Sequence, residues 1–367
     1  MLILRLPNQK LDQQADGWFA KLKQLDPIGN LVFFPGVVCL VLALQWGGSI
    51  YSWKDARIIV LLILCGILII AFIFIQIHKQ DNGTVPPRIV KNRSIAASIW
   101  FTFFNGAGMM ILMYYLPIWF QAIKGVSAVK SGIMLLPLVL STVVSSIVSG
   151  VLVSKIGYYT PFFLLSSILS PIGGGLISTF TPTTNHSMWI GYQVLFGFSL
   201  GLGMQQPMNV LGTVLDRTDV STGTAVIFFV RFLGAAIFVP VAENVFVTQL
   251  IKKLQNLPGI SPDAVAKGGA TAIRQLVSGA DLGILLHDYN DAIVDVFYIV
   301  IATSAITIFG SVLVEWKSLK KAAEEEKQRD KAAKEGQEKQ DTESKDLGKQ
   351  NVEKHEAKED TETEEAV

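Results

Sequence analysis

Ile58-Ile-Val-Leu-Leu-Ile-Leu-Cys65-Gly-Ile-Leu-Ile-Ile-Ala-Phe-Ile-Phe-Ile-Gln76-Ile77 is a run of twenty residues without one charged side chain. At about 1.5 Å of rise per residue, a helix of this length crosses the ~30 Å hydrocarbon core of a bilayer. An amphipathic surface helix would show a polar face, and this run shows none. Working outward, comparable runs lie at Ile28–Leu44, Ile95–Ile118, Val129–Leu152, Phe162–Phe180, Met188–Leu211, Thr222–Phe246 and Ile293–Val314. Together they predict eight spans and an all-α polytopic membrane protein whose first partner is the lipid bilayer. Half of the 367 residues are hydrophobic and the mean hydropathy is +0.44. The segment from Lys317 to Val367 is a dense mixture of Lys, Glu, Asp and Gln that buries too little apolar surface to offset its ordering entropy, so it is expected to be a solvated, largely disordered tail, with one frayed helix around Ala322-Ala-Glu-Glu-Glu leaving the membrane. Met1 to Pro7 is too short an apolar region for a signal peptide.

Charge orients the stack. The link His78–Arg93 carries Lys79, Arg88, Lys91 and Arg93, whereas Thr181–Ser187 carries no Lys or Arg. The first reads as cytoplasmic and the second as external. Alternation then places both termini, the Lys155 turn and the Asp216-Arg217 turn inside, and a long link from about Thr248 to Asn290 outside. A net charge of +1 gives no bulk basicity for a nucleic-acid partner.

Several chemistries are excluded. Cys39 and Cys65 sit inside apolar runs and read as small hydrophobes, and His78, His186, His287 and His355 lack metal-ligand spacing, so no metal or cofactor is expected. Gly197-Phe-Ser199-Leu-Gly201 matches the hydrolase pattern G-x-S-x-G but lies within a hydrophobic helix, where two glycines four apart favour close helix packing. Gly125-Val-Ser-Ala-Val-Lys130-Ser131 has Val129 where a phosphate loop needs glycine, so no nucleotide site is expected. The chain reads as a secondary transporter or channel, not an enzyme or an ATP-driven pump. The sequons at Asn82, Asn92 and Asn185 carry little weight, two being on the inner side and the third in a very short loop.

Ionisable residues inside spans are costly and become functional candidates. Arg231 lies deep in the seventh predicted span, Glu243 toward its outer end, and Asp295 at the outer start of the eighth. Glu243 and Asp295 are positioned to meet at one depth if those spans pack together. Asn105, Tyr114, Gln193, Gln205, Gln206 and Asn209 are candidates for a polar substrate path, with interhelical hydrogen bonding as the plainer role. The run Gln205-Gln206-Pro207-Met-Asn209 places a proline, which frees a backbone carbonyl, beside three amides. Pro35, Pro117, Pro137, Pro171, Pro207 and Pro240 recur in or near the spans, as suits helices that rock.

Five stretches carry a resemblance: Leu22-Lys-Gln-Leu-Asp-Pro-Ile-Gly29, Leu42-Ala-Leu-Gln-Trp-Gly-Gly48, Val85-Pro-Pro-Arg-Ile89, Tyr114-Tyr-Leu-Pro-Ile-Trp-Phe-Gln-Ala-Ile-Lys-Gly-Val126 and Gly201-Leu-Gly-Met-Gln-Gln-Pro207. The chain resembles the fungal fourteen-span drug:proton antiporters of the major facilitator superfamily over most of Lys21 to Leu254. A worn form of that superfamily's cytoplasmic loop signature is present as Gly150-Val-Leu152-Val-Ser-Lys155-Ile-Gly157-Tyr158, whose glycines in the family permit close helix approach. The resemblance implies efflux of small amphipathic organic compounds, such as drugs, toxins or secondary metabolites, by proton antiport. A siderophore or nutrient is the alternative substrate class.

It also implies a division of the chain. Residues 1–27 form a cytoplasmic segment with the remnant of a preceding helix, 28–77 two linking transmembrane helices, and 78–94 a cytoplasmic loop. Residues 95–314 form a C-terminal six-span bundle with a long external loop at about 248–290, and 315–367 a charged tail. Members begin with a six-span bundle that has no counterpart here, and the family's antiporter signature goes with it. Since alternating access needs two bundles to rock about one site, the expectation is that the chain alone does not transport. It is expected to act with a separate N-terminal bundle or as a non-transporting regulator that pairs with full-length relatives. The expected membrane is the plasma membrane, with the vacuolar membrane as the alternative.

Overall fold

The computed structural model describes residues 26–48, 50–80, 83–254, 280–325, 327–329 and 331. Two long helices come first, α1 (Pro27–Trp46) and α2 (Ala56–Lys79), followed by the short α3 (Pro87–Val90). Then come α4 (Arg93–Lys124), α5 (Ala128–Met134), α6 (Leu136–Ile156), α7 (Thr160–Ile177), α8 (His186–Met204), α9 (Gln206–Val214), α10 (Arg217–Leu254) and α11 (Ala280–Leu313). Their starts follow ordinary capping chemistry. Asp55 accepts from Arg57 N, Asn92 from Ser94 N and Ser127 from Lys130 N, each satisfying an orphan first-turn donor. Gly125 and Gly157 end α4 and α6 in the left-handed region, at φ 65° and 85°.

Among the described residues, seven helical segments are long and apolar enough to cross a membrane: α1, α2, α4, the α5–α6 pair, α7, α10 and α11. The expected sixth span differs. α8 is 19 residues long, but Gly191, Gly197, Gly201 and Gly203, with Gln193 and Ser199, lower its apolarity. It packs against both α6 and α7, so its surface is matched to helices more than to lipid.

The expected spans also needed correcting at their ends. The fourth breaks at Leu135, two residues ahead of Pro137, and the sixth at Gln205, two residues ahead of Pro207, as the missing proline N–H and ring sterics require. The predicted external link of 248–290 is shorter than expected, because α10 continues to Leu254 and α11 starts at Ala280. Both extensions are amphipathic: Phe246, Leu250 and Leu254 are buried along α10, and Leu285, Tyr289, Ala292, Ile293 and Val296 along α11. Asp295 therefore lies fifteen residues inside α11, not at its outer start.

α4 is the axis of the bundle, packed against α10 and α11, while α11 also meets α7, and α8 lies between α6 and α7. Backbones approach closely at glycines. A Cβ on Gly197 would lie 2.3 Å from Leu138 O and one on Gly201 2.3 Å from Thr142 O, both in α6. The pair expected to pack helices does so. Gly234 of α10 similarly faces Phe103 O, and Gly310 of α11 faces Ala97 O. α1 reaches the bundle differently, through the ring of Phe33 set between Phe72 of α2 and Phe229 of α10 at 4.8 and 5.1 Å.

One end of the bundle is braced by a buried asparagine. Asn290 Oδ1 accepts from Trp119 Nε1 at 2.8 Å, and its Nδ2 donates to Phe180 O at 2.9 Å, tying α11 to α4 and to the segment after α7. Asn290→Ala leaves the indole N–H and the carbonyl without partners. The expected loss is about 2 kcal/mol, measured as a lower Tm in detergent.

From Lys317, where the expected tail starts, the chain forms a separate unit that is helical over 319–325; residues 326, 330 and 332–367, the greater part of that tail, lie outside the described residues, as do residues 1–25 with the expected helix remnant and Asn82 of the first sequon.

Candidate functional site

A cavity of about 260 Å³ lies between α4, α6 and α8. Met109 and Met113 come from α4; Leu138, Val139, Thr142, Val143 and Ser146 from one face of α6; and Leu200, Met204 and Gln205 from the end of α8. The spacings are those of helix faces: 109 and 113 are one turn apart, as are 138, 142 and 146. Flexible thioethers can fit differently shaped apolar ligands, and two hydroxyls with one amide supply orientation.

The break ahead of Pro207 joins this cavity to Arg231. In an unbroken helix the Met204 carbonyl would be shared along the ladder, but here it accepts from Arg231 Nη2 at 3.1 Å. The guanidinium also lies over the Phe228 ring, 5.7 Å from its centroid. Its root is fixed, since a Cβ on Gly106 of α4 would come 2.7 Å from Arg231 O, leaving α4 and α10 nearly touching there. Asn105, buried, is the residue before that contact. Thus Arg231 and the start of the Gln205–Asn209 run converge on one wall, Met204 and Gln205.

The other polar candidates divide. Gln206 is wholly buried and turned away from the cavity: Nε2 donates to Ser149 Oγ and to Leu202 O, both at 2.6 Å, and Oε1 accepts from Asn209 Nδ2 at 3.0 Å. Gln206 thus ties α9 to α6 and to the end of α8, and Asn209 bonds it from within α9. Gln193 donates to Met134 O at 3.2 Å and ties α8 to α5. Tyr114 is half exposed, with its ring against Tyr115.

Of the two acidic candidates expected near one depth, Asp295 has a partner on α10, and that partner is Lys253, at 3.8 Å. Lys253 lies ten residues, about 15 Å, beyond Glu243 along α10. In the loop motif, Gly150 faces open space, so no close approach occurs there. Gly157 has the real glycine requirement, its N–H bonding Val153 O at 2.7 Å from a left-handed backbone. Leu152 and Tyr158 are partly exposed, and Lys155 lies in the last turn of α6.

Sequence reading missed two features. Met109, Met113, Thr142 and Ser146 carried a signal only as i,i+4 pairs. Asp26, within the quoted Leu22–Gly29 stretch, carried none for its partners. It is fully buried and accepts from Gly29 N at 3.0 Å, Gln76 Nε2 at 2.7 Å, Lys79 Nζ at 2.5 Å, and Thr84 N and Oγ1 at 3.2 Å each. Burial alone pushes its carboxyl pKa up, but the donors from Lys79, Gln76, Gly29 and Thr84 outweigh it and hold the pKa at about 2. This clasp joins the start of α1, the end of α2 and the chain leading to α3. No group of three or more metal-ligating side chains occurs among the described residues.

Residues 28–239 match the Major Facilitator Superfamily. The MFS-type transporter VdtG of Byssochlamys spectabilis is 47% identical over 302 residues, covering 82% of this chain and 54% of the relative. The MFS-type efflux pump MFS1 of Arthroderma benhamiae is 46% identical over 321 residues, covering 87% and 60%. The efflux pump aflT of Aspergillus parasiticus is 42% identical over 322 residues, covering 87% and 62%. The chain spans a little over half the length of these curated relatives.

Proposed function

Because the chain belongs to the Major Facilitator Superfamily, a family of membrane transporters and not of enzymes, we propose that it serves in the efflux of small, mostly apolar organic compounds in exchange for protons. In this reading it supplies the two linking helices (28–77) and the C-terminal bundle (95–314) of a fourteen-span drug:proton antiporter. A six-span N-terminal bundle is the partner, and both termini lie in the cytoplasm, with the plasma membrane as the site of action. The observation that carries the reading is the methionine-lined cavity whose wall, Met204 and Gln205, is held by Arg231. Such a site receives an apolar body and fixes it by a few polar groups. Relatives described as efflux pumps support the direction of transport.

The test is drug export from cells that lack their own pumps and express this chain with a co-expressed N-terminal bundle. Arg231→Gln is expected to lower export about tenfold, equivalent to ~1.4 kcal/mol, at unchanged membrane abundance. Arg231→Lys, which keeps the charge but loses the planar fork, is expected to restore only part of it. Equal export by Arg231→Gln and wild type would remove Arg231 from the site, and strong export by this chain without the second bundle would overturn the division into halves.

A further inference from the structure

A second cavity, of about 560 Å³, opens where α2 ends. It is lined by Ile77 and Gln80 from the end of α2 and by Pro87, Arg88 and Lys91 from α3 and its C-cap. We propose that this cavity holds the headgroup phosphate of an anionic phospholipid, with an acyl chain lying along α2.

The charge is suited to it. Arg88 is bound by Asp219 through both terminal nitrogens, at 2.7 and 3.0 Å, which fixes the guanidinium while its side chain stays 59% exposed. Asp219 offsets one positive charge of the two. Lys91 has no ion pair among the described residues and is exposed, so its ammonium remains for an anion. Lys79 does not compete, because Asp26 takes its ammonium.

The apolar half of the ligand decides between a lipid and a dissolved phosphate. Ile70, Ile73, Phe74 and Ile77 are each more than half exposed, and their spacing puts them on one face of α2 that runs into the cavity at Ile77. From Ile70 to Ile77 the stripe is about 10 Å long, a large part of one leaflet's half of the ~30 Å hydrocarbon core. α2 crosses the bilayer and ends at Lys79, so the cationic cavity sits at headgroup level, where basic pockets beside spans take anionic lipids. A soluble anion would gain nothing from this stripe. The inference rests on α2 being a span and is independent of what is transported.

The experiment uses the full chain in nanodiscs, reading thermal unfolding together with lipid retained in native mass spectra. Replacing part of the phosphatidylcholine by phosphatidylglycerol is expected to raise Tm by several degrees and to retain bound phosphatidylglycerol. Lys91→Glu is expected to lose at least half of that rise and most of the retained lipid. Lys54→Glu, a reversal at the other end of α2, keeps both. Inorganic phosphate in phosphatidylcholine discs gives no rise. No response in wild type, an undiminished response in Lys91→Glu, or full reproduction by inorganic phosphate each overturns the proposal. If Lys91→Glu does not fold in phosphatidylcholine, Lys91→Gln is read by the same criteria.

Discussion

Gly201→Leu is expected to destabilise the bundle by about 3 kcal/mol or more and to leave most of the protein aggregated or unfolded after extraction. A Cβ at this position lies 2.3 Å from Thr142 O and 2.8 Å from both Ser145 Cβ and Ser146 N. Two of these neighbours are α6 backbone atoms, which no rotamer change moves. The helices must part, and parting them also weakens the bonds from Ser145 Oγ to Phe198 O and from Ser149 Oγ to Leu202 O. Gly191, in the same helix, meets nothing within 4 Å of an added Cβ and serves as the control. Gly191→Leu is expected to stay within about 1 kcal/mol of wild type, helix propensity even favouring it. Comparison of the two by size-exclusion chromatography and thermal unfolding decides the matter: equal losses at 191 and 201 would refute the close apposition of α6 and α8.

Removal of the Asp26 carboxylate is expected to be the second large loss. Asp26→Ala takes the acceptor from Lys79, Gln76, Gly29 and Thr84 at once, which for a buried pair costs roughly 3–5 kcal/mol. Lys79 is 28% exposed and recovers some hydration, so the expected cost is toward the low end, about 3 kcal/mol. Asp26→Asn isolates the charge, since asparagine tolerates the left-handed backbone at φ 47°. The pH dependence follows from a folded pKa of about 2 against about 3.9 in the unfolded chain. A depressed carboxyl contributes its full stabilisation above pH ~3.9 and loses it as pH falls through ~2. The contribution is roughly 2 kcal/mol. Wild type should therefore approach Asp26→Asn in stability between pH 4 and pH 2, and a constant difference across that window would show that Asp26 is not held ionised.

The helical membrane architecture was legible because an apolar run of span length has no other stable use, and Ile58–Ile77 is an extreme case. The glycine pair 197 and 201 was legible because spacing on a helix translates directly into a face. Helix ends were legible only in part. Along α10 and α11 the charged Lys252, Lys253, Asp288 and Asp291 lower the local hydropathy, while burial every third or fourth residue carries the helix onward. Gln206 and Gln205 are adjacent and alike in composition, yet one is sealed between helices and the other lines the cavity, a distinction set by the break at Pro207. Asp26 was beyond reach for another reason. Its side-chain partners are 50 to 58 residues away, and nothing local marks a carboxylate that will be enclosed by a later helix.

The glycine contacts have a mechanical consequence. Packed helices slide past one another when side chains at their interface exchange one set of rotamers for another, and a seam made of Cα hydrogens against carbonyl oxygens has no such freedom. α6 and α8, and likewise α4 and α10, are welded pairs that carry load as single beams. The hairpin of α1 and α2 leans on α10 through phenylalanine rings, which can roll. Such give as the hairpin has against α10 is thereby placed at Phe33 and Phe229, between the fixed ties of Asn244 to Gly47 O at one end and of Arg88 to Asp219 at the other.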